Sequence, residues 1–304
     1  KNQSSLRRSI RIAWWPGHST GRYAGSTWYA DNNAIDINQN CVASVNCDSP
    51  GCRWATSYHK TTCMAEMKTH VKKVIKEITD QTPDWIRPKR AGDHSFYNIG
   101  LTTYFSLSST MPEDLRKEKN YYEVSGCGGN IAWHTENDTI EIADYNILKT
   151  DIEIYLLALW RHASAEILPT DWRETLREFG KIIDDYVAYN NFFDLSEAVK
   201  ITKDLSLEME KFYAAIRDGK ILATEANDII VKIGRHLIPI NFTRNLRFDQ
   251  DPAYVCPELP LLGPPSEIGF LPKNLQRFAS TQLKRGQNRY VYTLSDVKDI
   301  IFEK

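Results

Sequence analysis

The sequence predicts an α/β fold over residues 1–168, a partial three-layer αβα sheet, followed by a helical domain over 169–304. Short apolar runs that end in turn residues alternate with a helical stretch before residue 168. After it, apolar residues recur at helical spacing. The change falls in the stretch LPTDW (168–172), where a proline precedes an acidic cap. Strands alternating with helices imply a largely parallel sheet covered on both faces.

Taken in chain order, SIRIAWW (9–15), CVASVNC (41–47) and LTTYFSL (101–107) read as buried strands. Between them, 63–80 sets Met64, Met67, Val71, Val74 and Ile78 at helical spacing. Beyond the change, Asp171 and Glu174 have capping-box spacing, and Trp172, Leu176, Phe179, Ile183 and Tyr186 form an apolar stripe. Asp194 and Glu197 repeat that spacing before a longer helix carrying Leu195, Val199, Leu205, Met209, Phe212 and Ile216. A third helix is expected over 222–236, then an irregular proline-rich stretch (249–265) and a last helix near 295–303.

At 304 residues the chain is long enough for one large domain or two of ordinary size. Thirty-eight basic residues stand against 39 acidic ones, so no charge excess steers the protein toward nucleic acid. No apolar run reaches the roughly 18–20 residues that cross a bilayer. The opening KNQSSLRRSIRIAWW has no secretory pattern, and a cytoplasmic location with reduced thiols is expected. The six cysteines do not make the matched short-spaced pairs of a zinc knuckle, so buried or surface thiols are expected.

Open α/β sheets bind ligands beyond the carboxyl ends of their strands. Three polar groups fall at such positions: His18 after the first run, Asp48 in VNCDSPG, and His134 after the glycine-rich GCGGN. Two imidazoles and a carboxylate suit zinc or a similar divalent ion. Each by itself also suits a turn or a solvated surface.

Four stretches in order carry a resemblance. RRSIRIAWWPGHSTGRYAGSTWYAD (7–31), VNCDSPG (45–51), RAGDHSFYNIGLTTYF (90–105) and AWHTENDTIEIADYNILKTDIEIYLLALWRHA (132–163) are similar to segments of the M28 family of zinc aminopeptidases. LPTDWRETLREFGKIIDDY (168–186) resembles the start of the helical dimerisation domain in its glutamate-carboxypeptidase and transferrin-receptor branch. The resemblance implies a hydrolase that cleaves an amide or peptide bond with metal-activated water, one or two ions, with Asp48 and His134 as ligands. Where the family has paired glutamates this chain has Gly17-His18-Ser19, which leaves His18 as ligand or base. Gly126, Gly128, Gly129 and Asn130 would wall the substrate pocket, with Trp133 at a family tyrosine position and Asp93 and His94 at the rim.

The family's H-x-D and bridging-aspartate segment has no counterpart in this sequence. The resemblance therefore implies a complementary polypeptide carrying it, and a homo-oligomer formed through the helical domain. The other reading is a catalytically inactive M28-like binding or scaffold protein.

Overall fold

The computed structural model describes residues 3–18, 21, 23–88, 95–105, 109–188, 192–251 and 256–302. The protein is mixed α/β: helix of all kinds makes up about 58% of the described residues, and the C-terminal region is helical. The described strands form two parallel pairs of two or three residues each. No described helix is long and apolar enough to cross a membrane.

The chain divides into two compact units, each interrupted in sequence. The first comprises 1–12, 44–88 and 103–170; the second comprises 13–43, 89–102 and 171–304. The change of character expected at 168/169 lies close to the 170/171 division, but two earlier segments also belong to the helical unit.

In the first unit, β1 (Ser44–Val45) runs parallel to β4 (Thr103–Tyr104), with Ser44 opposite Thr103. β2 (Lys60–Thr62) runs parallel to β3 (Asp84–Ile86). Main-chain bonds tie the pairs together, from the Phe105 amide to the Thr62 carbonyl (2.9 Å) and from the Met64 amide to the Thr103 carbonyl (3.2 Å). The crossover from β2 to β3 is α3 (Lys68–Thr79), as the periodicity over 63–80 predicts, preceded by a 3-10 turn at Ala65–Met67. A short α4 (Glu113–Glu118) precedes α5 (Tyr145–Ser164), and α3 packs against α5.

Asp144 caps α5 by accepting from the Asn146 and Ile147 amides. At its other end, the Arg8 guanidinium donates to the carbonyls of His162 (3.1 Å) and Ala165 (2.7 Å), satisfying terminal acceptors. His70 and His162 face each other between α3 and α5, ring centroids 5.9 Å apart, beside Tyr104.

Residues 9–15 are not a strand: they take no regular secondary structure, and Ile12 and Trp14 are 69% and 86% exposed. An apolar run becomes a strand only when another strand takes up its main-chain groups. Just before the run, the Arg7 and Arg8 amides bond to the Ala163 carbonyl at the end of a helix, not to a strand. Of the other two expected strands, the described residues are in strand at 44–45 and 103–104, and 106 and 107 lie outside the described residues.

The second unit contains α1 (Ala24–Asn32), α2 (Ala34–Asn40), α6 (Trp172–Ala188), α7 (Ser196–Arg217), α8 (Ala223–Phe242) and α9 (Lys273–Phe302). Asp171 accepts from the Arg173 amide at the start of α6, and Asp194 accepts from the Ser196 amide at the start of α7. Trp172 is buried and donates its indole N–H to the Ile230 carbonyl of α8 at 2.9 Å. The last helix is much longer than the expected 295–303. Its buried face carries Gly286, Gln287, Tyr290, Leu294 and Val297, and the glycine and glutamine hide the apolar stripe from a count of apolar residues.

Ala30, Ile37, Phe96, Ile99 and Leu101 form one apolar cluster, with Trp15 and Tyr29 against it. This cluster packs segments 13–43 and 89–102 against each other within the second unit. Arg235 of α8 completes the attachment. Its buried guanidinium donates to the carbonyls of Asn38 (2.7 Å), Gly100 (2.7 Å) and Ile37 (3.4 Å), and to that of Cys41. Burial pushes its pKa down to about 10, which leaves it charged at neutral pH.

Arg235→Leu removes the donors and leaves buried carbonyls without partners. A loss of about 3 kcal/mol is expected, read as a lower urea midpoint; an unchanged midpoint would show that the carbonyls find other donors.

The buried histidines set a pH dependence. Burial holds His70 down to about 4 and His162 down to about 3, the latter also lowered by His70 and Arg8, against an ordinary 6.5. Below pH 6.5 the unfolded chain binds protons that the folded chain refuses. Stability is therefore full above pH 6.5 and declines as pH falls toward 4, by up to about 1.4 kcal/mol per pH unit for each histidine. Urea titrations at pH 7 and pH 5 should show the decline, and His162→Gln should flatten it.

Candidate functional site

β1 ends in the loop Asn46-Cys47-Asp48-Ser49-Pro50-Gly51-Cys52. Asp48 thus lies beyond the carboxyl end of a parallel-paired strand, the position that α/β proteins use for ligands. Ser49 and Gly51 adopt left-handed backbone (φ 49° and 75°), and the Ser49 hydroxyl donates to Asp48 Oδ1 at 2.9 Å.

Helix α5 holds this loop. The Asp151 carboxylate is fully buried and accepts from the Gly51 amide (2.8 Å), the Tyr58 hydroxyl (2.7 Å) and the Ser109 hydroxyl (3.0 Å). One turn on, the Tyr155 hydroxyl donates to the Asn46 carbonyl at 3.2 Å. Burial, with the Asp151 charge beside it, pushes the Tyr58 hydroxyl far above its usual range, so it remains a donor.

The glycine-rich turn lies against the same loop. Cys127, Gly128 and Gly129 are successive left-handed residues (φ 51°, 59°, 80°). A Cβ on Gly128 would stand 2.6 Å from Ala55 Cβ and 2.7 Å from Cys52 Cβ, so only glycine permits this approach. Cys52 and Cys127 meet there with sulfurs 3.7 Å apart. Burial raises the Cys127 thiol, and the charges of Asp138 and Asp48 raise it further.

Asn130 is buried; its Oδ1 accepts from the Ala132 amide (3.0 Å), while its Nδ2 has no partner among the described residues. The Trp133 ring lies over Gly126, where a Cβ would come 2.1 Å from Nε1. It stacks on the His134 imidazole, centroids 4.1 Å apart and planes at 25°. Trp133 and His134, with Tyr122, Glu123, Val124 and Ser125, line an open cleft of about 660 Å³.

The first unit thus unites the Asp48 loop with the turn that leads to His134. His18 belongs to the second unit. It follows no strand; it sits in a bend before α1, half-buried, with its ring edge-on to Tyr23 at 5.5 Å and its carbonyl accepting from the Tyr23 amide. Asp93 and His94 lie outside the described residues. Among the described residues, no group of three or more His, Cys, Asp or Glu side chains is placed to hold a metal ion. Asp48 and His134 are donors of suitable chemistry, but the described side chains do not complete a ligand set around them.

Asp151 and Tyr58 are the residues that sequence reasoning missed. One signal for Asp151 exists: it shares a helical face with Ile154, Tyr155, Ala158 and His162, all buried, so an acidic residue stands where apolar ones are expected.

Asp151→Asn keeps the size but trades an acceptor oxygen for a donor. A loss of about 2 kcal/mol is expected, together with faster hydrogen exchange at the Gly51 amide. Unchanged exchange there would show that Asp151 does not hold the loop. No family model matches the chain and no curated protein matches it.

Proposed function

We propose that this chain is part of an M28-like metal-dependent hydrolase that cleaves an amide or peptide bond. The observation that carries the reading is the seating of Gly128 on Cys52 and Ala55. It joins the Asp48 loop to the turn leading to His134, the two motifs to which the resemblance assigns metal ligands.

In this reading Asp48 contributes a carboxylate and His134 an imidazole to a divalent ion, zinc being the first choice. The remaining donors come from a complementary polypeptide carrying the H-x-D and bridging-aspartate segment. When bound, the ion supplies an activated water and a polarised carbonyl. This chain's own residues position and enclose. Asp151 holds the Asp48 loop, Gly126 admits the Trp133 ring as a cleft wall, and the Asn130 Nδ2 offers a buried donor. The finer zinc-peptidase fold and the homo-oligomer through the helical unit belong to the same proposal.

A second reading, a catalytically silent M28-like binding protein, draws on the stacking of His134 on Trp133, which gives the cleft an aromatic wall.

Metal analysis and native mass spectrometry of the protein from its source separate the two. The hydrolase reading expects bound divalent metal, a second polypeptide in the complex, and loss of both metal and activity in His134→Ala with circular dichroism unchanged. Full metal occupancy in that variant would refute the ligand assignment. Full hydrolase activity in an assembly of this chain alone would refute the complementary polypeptide.

A further inference from the structure

We propose that Cys52 and Cys127 form a dithiol that closes to a disulfide on exposure to a low-molecular-weight disulfide oxidant, tying the Asp48 loop covalently to the glycine-rich turn. The two sulfurs already lie 3.7 Å apart, across 75 residues of sequence. A shift of roughly 1.7 Å reaches the bond length of about 2.05 Å. Both residues are buried in one cluster with Ala55, against Trp133, Ile142 and Ile147. The contact is built into the fold: Gly128, next to Cys127, carries no Cβ, and this lets the Cys52 Cβ come close. Cys52 Sγ also donates to the Ser49 carbonyl at 3.3 Å, so its sulfur is anchored to the loop that bears Asp48.

The reaction balances as thiol–disulfide exchange. One protein thiolate attacks the oxidant and expels a small thiol. The second attacks the resulting mixed disulfide and expels the other. The two cysteines lose two protons and two electrons, and the oxidant leaves as two thiols. Burial raises both protein thiols above their ordinary value, so thiolate is scarce in the folded state. Closure is accordingly slow once the protein has folded.

The inference is independent of the hydrolase reading, and its test uses no activity. The full chain is incubated with oxidised glutathione, alkylated in denaturant and mapped as peptides. The expected product is two hydrogens lighter and contains a cross-linked pair of peptides bearing Cys52 and Cys127, released by dithiothreitol. Cys52→Ser and Cys127→Ser should each abolish that product, and Cys47→Ser, at an exposed position, should leave it intact. The oxidised form should also unfold at a higher urea concentration than the reduced form. Three results would overturn the proposal: no linkage in folded protein under conditions that cross-link the unfolded chain, linkage of either cysteine elsewhere, or a stoichiometric metal that shields both thiols and is lost in Cys52→Ser.

Discussion

The last carbonyls of a short helix have no partners inside it and carry the negative end of its dipole. At the end of α2 the carbonyls of Asn38 and of the capping residue Cys41 converge on the guanidinium of Arg235, which also reaches the Ile37 carbonyl and takes that of Gly100. One planar group with five donors therefore binds two chain segments remote in sequence to the middle of α8. The apolar cluster of Ala30, Ile37, Phe96, Ile99 and Leu101 supplies burial without direction. Arg235 supplies the direction, because its donors are satisfied in one arrangement only. The interleaving of the second unit follows from that pair of constraints.

Asp151 does the corresponding work in the first unit. A buried carboxylate costs several kcal/mol unless its oxygens are occupied, and here a main-chain amide and two hydroxyls occupy them. The loop beyond β1 is thereby held by helix α5 rather than by the sheet, whose strands are too short to hold it. Short strands and well-anchored loops go together in this unit: the order that a long ladder would provide comes instead from side chains reaching to main-chain groups.

The site shows how unevenly chemistry is legible in sequence. The Asp48 loop and the glycine-rich turn were readable because turn chemistry is local: Ser49 and Gly51, and then Cys127 to Gly129, take left-handed backbone. Their juxtaposition was not readable, since it depends on Gly128 seating against Cys52 and Ala55 across the unit. His18 illustrates the opposite outcome. Its place at the tip of an apolar run implied a strand end, but the run has no strand partner and His18 belongs to the other compact unit.

By itself the sequence determined the amphipathic helices α3, α6, α7 and α8, the acidic residues that open α6 and α7, and the change to a helical region near residue 170. Each of these depends on neighbours within a few positions, where helical spacing and capping act. Only the tertiary structure decided that residues 9–15 remain outside any strand, that 13–43 and 89–102 join the helical unit, and that α9 reaches back to Lys273. A strand needs a partner, a buried glycine or glutamine needs a facing surface, and a buried charge needs distant acceptors. None of these lies within reach of a local pattern.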